Sequence, residues 1–368
     1  MKSRIRLLVV CLQFAVLSGC LQTQVIDDIS LIQTVSFDKE DDDNIHYTVS
    51  YPFFLEQGKE SKIGIEQRSI ISETPEEARS QLNTKTDKPL RYGQLRVVLF
   101  GQDIAEEGVE QYARSFYRNP RIGNRIFLAV SDGTAGNALR FEEGSKERIG
   151  MYFSNMIEHN MNFENIPESN MHLFLFNLYN DGKDAFLPMV KREKQELHLT
   201  GVGLFDGERM TASLNMKETF ILKLLLSGSR NGTSQFPISE QGNKVYVVIE
   251  NIFTDLDFRD ISKTAQQPAY EVNLDMKGEV TDHTGDFNLS NKKDIGTIES
   301  KVQKQIKTEA ADLIQRFQDT NIDPLGFGEK YRSTTRNWNP EKWKESMYPK
   351  MDVQVKVNLE ILQSGAIE

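Results

Sequence analysis

Two successive periodicities in the last quarter of the chain restrict its fold more than any other feature. Between Ile295 and Phe317, apolar residues recur at spacings of three and four, as on one face of an α-helix. From Met351 to Ile361 every second residue is apolar, as in a strand with one buried and one wet face. We therefore expect a long helix that covers one face of a sheet. We expect that sheet to be antiparallel, because one wet face is typical of antiparallel sheets.

The preceding sequence mixes strand and helix patterns. Apolar residues 29–37 and the alternation over 45–51 predict a hairpin, and the acidic run Glu40–Asp43 between them is interpreted as a solvated loop rather than a cation site. Thr74, Pro75 and Glu77 predict a capped helix start. Three further segments predict a βαβ unit with parallel strands: a buried strand over 91–101, a helix over 104–118 and a strand over 125–131.

A second block begins near Thr200 and again alternates strands with helices. At 368 residues the chain exceeds the ~250–300 at which one core stops growing, so several domains are expected. The sequence predicts an α+β fold with a mixed sheet in its N-terminal region and, C-terminally, an antiparallel sheet covered by the long helix. The expected divisions are a signal peptide (1–19), an N-terminal region of one or two subdomains (20–197) and a C-terminal domain (198–368).

The first twenty residues have the form of a bacterial lipoprotein signal. A basic start is followed by the eleven-residue apolar stretch 7–17, which is too short for a permanent membrane span of ~18 residues or more. Ser18 and Gly19 then precede Cys20, so we expect cleavage there and lipidation of Cys20 by N-palmitoyl and S-diacylglycerol groups. The alternatives are an ordinary signal peptide with an incidental cysteine and a buried N-terminal helix.

Cysteine content and charge exclude several classes of function. Cys11 and Cys20 are the only cysteines, and Cys11 leaves with the signal, so disulfide frameworks and Cys-ligated metal sites are not expected in the body. The formal charge of −10 argues against nucleic-acid binding and against direct attraction to anionic lipid. Membrane attachment would therefore depend on the lipid at Cys20.

Motifs for catalysis are missing from the sequence. The histidines are scattered, and neither a paired-histidine metal motif, a nucleophile elbow nor a phosphate-binding loop occurs. We expect no enzyme, no cofactor and no metal site. The chain has 54 Asp and Glu residues, and the sequence selects no pair among them. The carboxylate count leaves a carboxylate-dependent hydrolase as an alternative. The histidines are His46, His159, His172, His198 and His283.

Several motifs in order resemble the Ger(x)C family, the C-subunit lipoproteins of nutrient germinant receptors in spore-forming bacteria. They are the L-S-G-C signal, GQLRVVLFG at 93–101, GVGLF at 201–205, DPLGFG at 323–328, Trp338-Asn339-Pro340, Trp343 and Gly365. Two positions differ, because family members often carry Trp and His where this chain has Leu21 and Gln94. We expect the DPLGFG and tryptophan residues to shape the core and a loop rather than to bind a ligand.

The resemblance implies a lipid-anchored subunit on the outer face of the spore inner membrane. It implies assembly with A-type and B-type integral membrane subunits, a role in the germination response and no catalytic residues. The alternative is an extracytoplasmic solute-binding lipoprotein, which needs a cleft between the two blocks lined by aromatic and a few polar groups.

Overall fold

The computed structural model describes residues 28–57, 60–140, 149–194, 196–240, 242–264 and 267–362. The predicted signal peptide, Cys20, Leu21 and Gly365 lie outside these residues. In the part of the chain that is described, none of the helices combines the length and the apolarity needed to cross a membrane.

The N-terminal half contains ten strands and six helices in the described residues. They are β1 (Ser30–Leu31), β2 (Thr34–Lys39), β3 (Ile45–Gln57), β4 (Glu60–Ser72), α1 (Pro75–Asn83), β5 (Leu90–Arg91), β6 (Val97–Gly101), α2 (Gln102–Glu107), α3 (Glu110–Tyr117), β7 (Phe127–Ser131), α4 (Ala135–Ala138), α5 (Ile149–Asn162), α6 (Met171–Leu178), β8 (Phe186–Glu193), β9 (Glu196–Asp206) and β10 (Arg209–Asn215).

The C-terminal half begins with a helix and ends with a strand. Its elements are α7 (Met216–Ser227), β11 (Gly232–Glu240), β12 (Asn243–Asp260), β13 (Ala269–His283), α8 (Lys292–Asp319), α9 (Phe327–Thr334), α10 (Pro340–Lys342), a π-helical turn (Trp343–Met347), a 3₁₀ turn (Tyr348–Lys350) and β14 (Asp352–Ile361). The structure confirms the predicted α+β class.

One eight-stranded mixed sheet organises the N-terminal half. Its order is β10-β9-β8-β7-β6-β2-β3-β4, and β2, β6, β7 and β8 run parallel to one another. The β2–β3 hairpin and the parallel β6–β7 pair confirm two predictions from the sequence. The acidic run is an exposed turn in which the Asp41 carboxylate accepts the backbone N–H groups of Asp43 and Asn44, so the loop interpretation is also confirmed.

Two predicted elements are each divided in the structure. The strand expected over 91–101 is interrupted by a turn, closed by a 2.9 Å hydrogen bond from the Leu95 N–H to the Tyr92 carbonyl. The helix expected over 104–118 breaks at Gly108, whose φ of +141° is a conformation that favours glycine. A Cβ at Gly108 would also meet the Glu208 side chain, and the following Val109 N–H donates to the Glu208 carbonyl. The break therefore depends on a residue distant in sequence.

The C-terminal sheet has the order β11-β12-β13-β14, and its last strand corrects a prediction. The first three strands are antiparallel, but β14 pairs parallel to β13, from Ala269 opposite Asp352 to Gly278 opposite Ile361. The sheet is therefore mixed, not antiparallel. The physical reason is that α8 lies in the connection and returns the chain to the same end of the sheet, as in a βαβ crossover.

Helix α8 covers one face of this sheet, as the periodicity predicts. Its buried residues form a single apolar stripe, and in β14 the polar residues at alternate positions are exposed. The stripe comprises Ile295, Ile298, Val302, Ile306, Ala310, Leu313, Ile314 and Phe317.

Side chains of α8 also cap part of the outer edge of β14. The Gln303 amide donates to the Leu359 carbonyl at 3.1 Å, and the Ile361 N–H donates to the Glu299 carboxylate at 2.8 Å. These bonds satisfy backbone groups that an edge strand otherwise presents to solvent.

Strands β8–β10 belong to both hydrophobic cores. Val202, Leu204 and Leu214 pack into the core of the C-terminal half, whereas Phe205 and Met210 pack into a core of the N-terminal half. Since successive side chains of a strand point to opposite faces, one stretch of sheet serves two cores. The expected division between residues 197 and 198 lies within β9, one of these shared strands.

Replacing Ile306 with alanine should destabilise the protein through a cavity under α8. Ile306 is fully buried, so we expect a loss of about 2–5 kcal/mol in the free energy of unfolding, measured by urea titration. The adjacent Lys307 is exposed, and Lys307→Ala should change it by less than about 0.5 kcal/mol. Equal losses in the two variants would contradict the proposed packing of α8.

Candidate functional site

The DPLGFG motif forms the turn between α8 and α9. Asp323 is buried, at 4% exposure, and its carboxylate accepts the N–H groups of Phe327 at 3.1 Å and Gly328 at 2.8 Å. Gly326 has φ +70°, a left-handed conformation that glycine adopts without strain. The carboxylate thus accepts hydrogen bonds from two backbone N–H groups that have no partner within the first turn of α9.

This turn is bonded to the N-terminal half through the loop that precedes β8. The Asp323 N–H donates to the Asp184 carboxylate at 2.6 Å, and the Asp184 N–H donates back to the Asp323 carbonyl at 2.9 Å. The Glu329 N–H donates to the Gly182 carbonyl at 2.8 Å. Three hydrogen bonds therefore join the two halves within one short turn, which we call the junction.

Close backbone contact at the junction requires glycine at two positions. A Cβ at Gly182 would lie 2.5 Å from the backbone nitrogen of Glu329, and one at Gly328 would lie 2.7 Å from Nε1 of Trp343. Any larger side chain would separate the loops and lengthen the hydrogen bonds between them.

The tryptophans of the motif form an aromatic cluster beside the junction. The Trp343 ring is stacked on Tyr331 with centroids 5.1 Å apart, and it lies 5.9 Å from both Trp338 and Tyr348. Trp343, Leu325 and Phe327 are buried in the C-terminal core. The expectation that these residues shape the core and a loop is confirmed for the described part of the motif.

Burial controls the charge of the junction. Removal from water raises the pKa of Asp323 to about 7, against the opposing effect of its two backbone donors, and the nearby Asp184 carboxylate adds to the rise. Burial also raises the pKa of Asp184, and the Lys344 ammonium 3.9 Å away opposes that rise. Lys344 is paired with Asp206 as well. A cavity of about 300 Å³ adjoins these groups.

A buried ion pair ties the halves together at a second place. Glu164, between α5 and α6, is paired with Lys223 of α7, and both side chains are at most 15% exposed. Lys223 also donates to Ser227 Oγ at 3.0 Å and to the Gly228 carbonyl at 2.9 Å. These bonds satisfy the ammonium group in a site where an unpaired charge would be costly.

An open groove crosses the two halves near the junction. Its volume is about 610 Å³, and α3 and α6 of the N-terminal half form one wall while α9 forms the other. Three aromatic side chains in it are about half exposed: Tyr117 at 46%, Phe176 at 54% and Tyr179 at 58%. Polar groups of the opposite wall are Glu329, Arg332 and Ser333.

The predicted attachment residue, Cys20, lies outside the described residues. The histidines remain dispersed, and the described residues hold no cluster of three or more His, Cys, Asp or Glu side chains arranged to bind a metal. The sequence did not indicate the Asp184–Asp323 contact, because the two residues are 139 positions apart. The only local signals were Gly182 and Gly326, each within three residues of one of these aspartates, and such pairs also occur in ordinary turns.

Comparison with known proteins assigns the chain to a family. Residues 22–192 match the model "Spore germination protein N-terminal domain", and residues 200–365 match "Spore germination B3/ GerAC like, C-terminal". The chain belongs to this family of spore germination proteins. The chain is similar to the spore germination protein GerQC of Bacillus cereus, with 32% identity over 96% of each chain. The spore germination protein YndF of Bacillus subtilis (strain 168) is 21% identical, with 100% of both chains covered.

A solved structure has the same fold. The crystal structure of the GerBC protein superposes with a TM-score of 0.55 at 16% sequence identity, covering 89% of this chain and 97% of the other. At this identity the likeness concerns the fold alone.

Replacing Asp323 with asparagine should flatten the pH dependence of stability. The pKa of Asp323 is about 7 in the folded protein and about 4 when unfolded, so the folded state binds more protons in between. Its contribution to stability therefore falls as pH rises from about 4 to about 7. The free energy of unfolding is measured by urea titration at several pH values. Between pH 4 and 7, we expect its decrease with rising pH to be less steep in Asp323→Asn than in the wild type, by up to about 1.4 kcal/mol per pH unit.

The control is Asp312→Asn, an exposed position on α8, which should leave the wild-type pH profile unchanged. Parallel profiles for wild type and Asp323→Asn would contradict the assignment of this proton to the junction.

Proposed function

We propose that the chain is the lipid-anchored C subunit of a nutrient germinant receptor, on the outer face of the spore inner membrane. The observation that carries the proposal is family membership along both halves, next to the L-S-G-C signal at residues 17–20. The subunit acts in the germination response by assembling with A-type and B-type integral membrane subunits.

The lipid on Cys20 anchors the body in this proposal. Stable anchoring takes more than one acyl chain, since a single chain gives only marginal and reversible binding. The S-diacylglycerol and N-palmitoyl groups together meet that requirement. Residues 1–19 are removed as the signal peptide, so Cys20 becomes the first residue of the mature chain.

We assign contact with the membrane subunits to the groove between α6 and α9. Exposed tyrosine and phenylalanine with a neighbouring arginine is the composition that is enriched in protein interfaces. Because one wall comes from each half, the groove depends on the junction for its shape. Its function in the proposal is therefore to present one fixed surface to the partner.

A solute-binding role is the second candidate, because this groove matches the cleft that it requires. Small-molecule sites, however, bury about 70–90% of their ligand, and the three aromatic side chains here are about half exposed. This openness favours a protein partner over a solute. Calorimetry of the mature chain against amino acids and sugars distinguishes the two, since the receptor-subunit role predicts no heat of binding.

We propose no catalytic role. The two carboxylates that the junction brings together accept backbone N–H groups, which occupies them in holding the halves together. A pair of facing acids in a substrate cleft would instead favour the hydrolase alternative.

Replacing Cys20 with alanine should release the protein from the membrane. The variant has no thiol to acylate, so we expect loss of palmitate labelling, a shift to the soluble fraction of disrupted spores, and slower germination on nutrients. Cys11→Ala is the matched control, because Cys11 leaves with the signal peptide, and it should behave as wild type. Normal membrane fractionation and germination with Cys20→Ala would overturn the anchoring proposal.

Replacing Phe176 with aspartate should weaken assembly. The charge would enter the groove, so we expect recovery of the membrane subunits with this chain, from detergent-solubilised spore membranes, to fall at least about tenfold. Phe253→Asp is a matched control, since Phe253 is 50% exposed on the C-terminal sheet. If the two variants recovered the membrane subunits equally well, the groove would not be the contact surface.

A further inference from the structure

The amino ends of β2, β6 and β7 meet at one edge of the large sheet. The Arg96 N–H donates to the Gln33 carbonyl at 2.9 Å, and the Phe127 N–H donates to the Arg96 carbonyl at 2.8 Å. Segments 84–96 and 118–126, which lead into β6 and β7, therefore meet at this edge. We call these two segments the basic edge.

Cations dominate the basic edge. Its two segments contain seven Lys and Arg residues and one acid, Asp87, in a chain whose formal charge is −10. Arg91 is partly buried, and the other six cations are exposed. They are Lys85, Lys88, Arg96, Arg118, Arg121 and Arg125.

The six exposed cations have no ion-pair partner among the described residues. No described carboxylate oxygen lies within 4.0 Å of their charged nitrogens, whereas Arg114, one turn before Arg118, is paired with Glu110 at 3.3 Å. Like charges placed together without counter-ions form a surface that attracts an anion-rich partner.

The chain enters the body at this same edge. The Ser30 N–H donates to the Pro89 carbonyl at 3.0 Å, and the Ile32 N–H donates to the Arg91 carbonyl at 2.8 Å. Asp28, where the described chain begins, is eight residues after Cys20, and eight residues span at most ~28 Å. Any anchor at Cys20 thus holds the basic edge close to the bilayer.

The long hairpin of β3 and β4 also continues past this edge, and its described residues pack on both faces of the sheet. On the face of the basic edge, Tyr51 packs in the core that contains Leu90 and Tyr92. Gln67 of β4 donates to the Leu139 carbonyl after α4, and Ile65 packs against the apolar cluster beneath α4 and α5. The arginines that follow α3 remain exposed beside it.

We propose that the basic edge binds anionic lipid headgroups and so orients the body on the membrane. This proposal takes only one element from the proposed function, the lipid anchor at Cys20. Guanidinium groups bind phosphate oxygens through paired hydrogen bonds, and three of the exposed cations lie between residues 118 and 125. Attraction between exposed charges extends only ~8 Å at physiological salt, and a tether of at most ~28 Å confines this surface to distances from which it repeatedly comes within that range.

The test uses the mature chain, residues 20–368 with Cys20→Ser, which carries no acyl group. We expect it to co-sediment at low salt with vesicles that contain phosphatidylglycerol and phosphatidylcholine, and not with pure phosphatidylcholine vesicles. The triple variant Arg118→Gln, Arg121→Gln, Arg125→Gln should lower the partition coefficient at least about tenfold. Binding by the wild type should also be lost in high salt.

The matched control is Lys292→Gln, Lys304→Gln, Lys307→Gln, which removes three exposed charges from α8 and should bind as wild type. The basic-edge proposal is overturned if the wild type does not bind the anionic vesicles, or if the two triple variants lose binding equally. A third outcome also overturns the proposal. If the wild type does not bind vesicles, and the triple arginine variant no longer co-purifies with the membrane subunits, the basic edge binds protein rather than lipid. Because no lipid is attached, the result is independent of the Cys20 experiment.

Discussion

The two-sided packing of β8–β10 is the constraint on which the rest of the structure depends. Val202 and Leu204 complete the C-terminal core from the same strand that gives Phe205 to the N-terminal core. Each half buries part of its apolar surface on this strand, so the strand is common to both cores. The junction and the Lys223–Glu164 pair then fix their relative position, and with it the groove whose walls come one from each half.

Local sequence patterns predicted local structure well. The errors occurred where residues distant in sequence determine the structure. The stripe along α8 and the alternation along β14 required only neighbouring residues, and both were correct. The direction of β14 depends on the path by which the chain crosses the sheet. The alternation of apolar residues does not indicate that path. Likewise, the break at Gly108 involves Glu208, and the proton held at Asp323 depends on burial that only the fold creates. Cys20, the one site residue predicted from sequence, lies outside the described residues and stays a prediction.

The distribution of charge over the surface also could not be predicted from the sequence. From the net value of −10, repulsion between the body and anionic lipid was the natural inference. The fold sorts the charges by surface, because Arg96 and Arg125 come from separate segments that are brought together by the parallel pairing of β6 with β7. A net charge describes the molecule at long range, whereas a protein tethered as proposed would meet its membrane with one face. In the proposed arrangement, the tether and the basic edge together set which way the body faces the membrane, and this determines where the groove beside α3 points.

The caps on β14 have a consequence for crowding. Proteins confined to a membrane meet one another far more often than free ones, and each bare strand edge is a template on which another copy can add its own strand. Glu299 and Gln303 occupy backbone groups near the end of β14, the last strand of its sheet. If the chain is anchored as proposed, many copies can gather in a small patch of membrane without adding strands to one another at this end of β14. At this strand end, two side chains of one helix therefore oppose edge-to-edge aggregation while leaving the copies free to cluster.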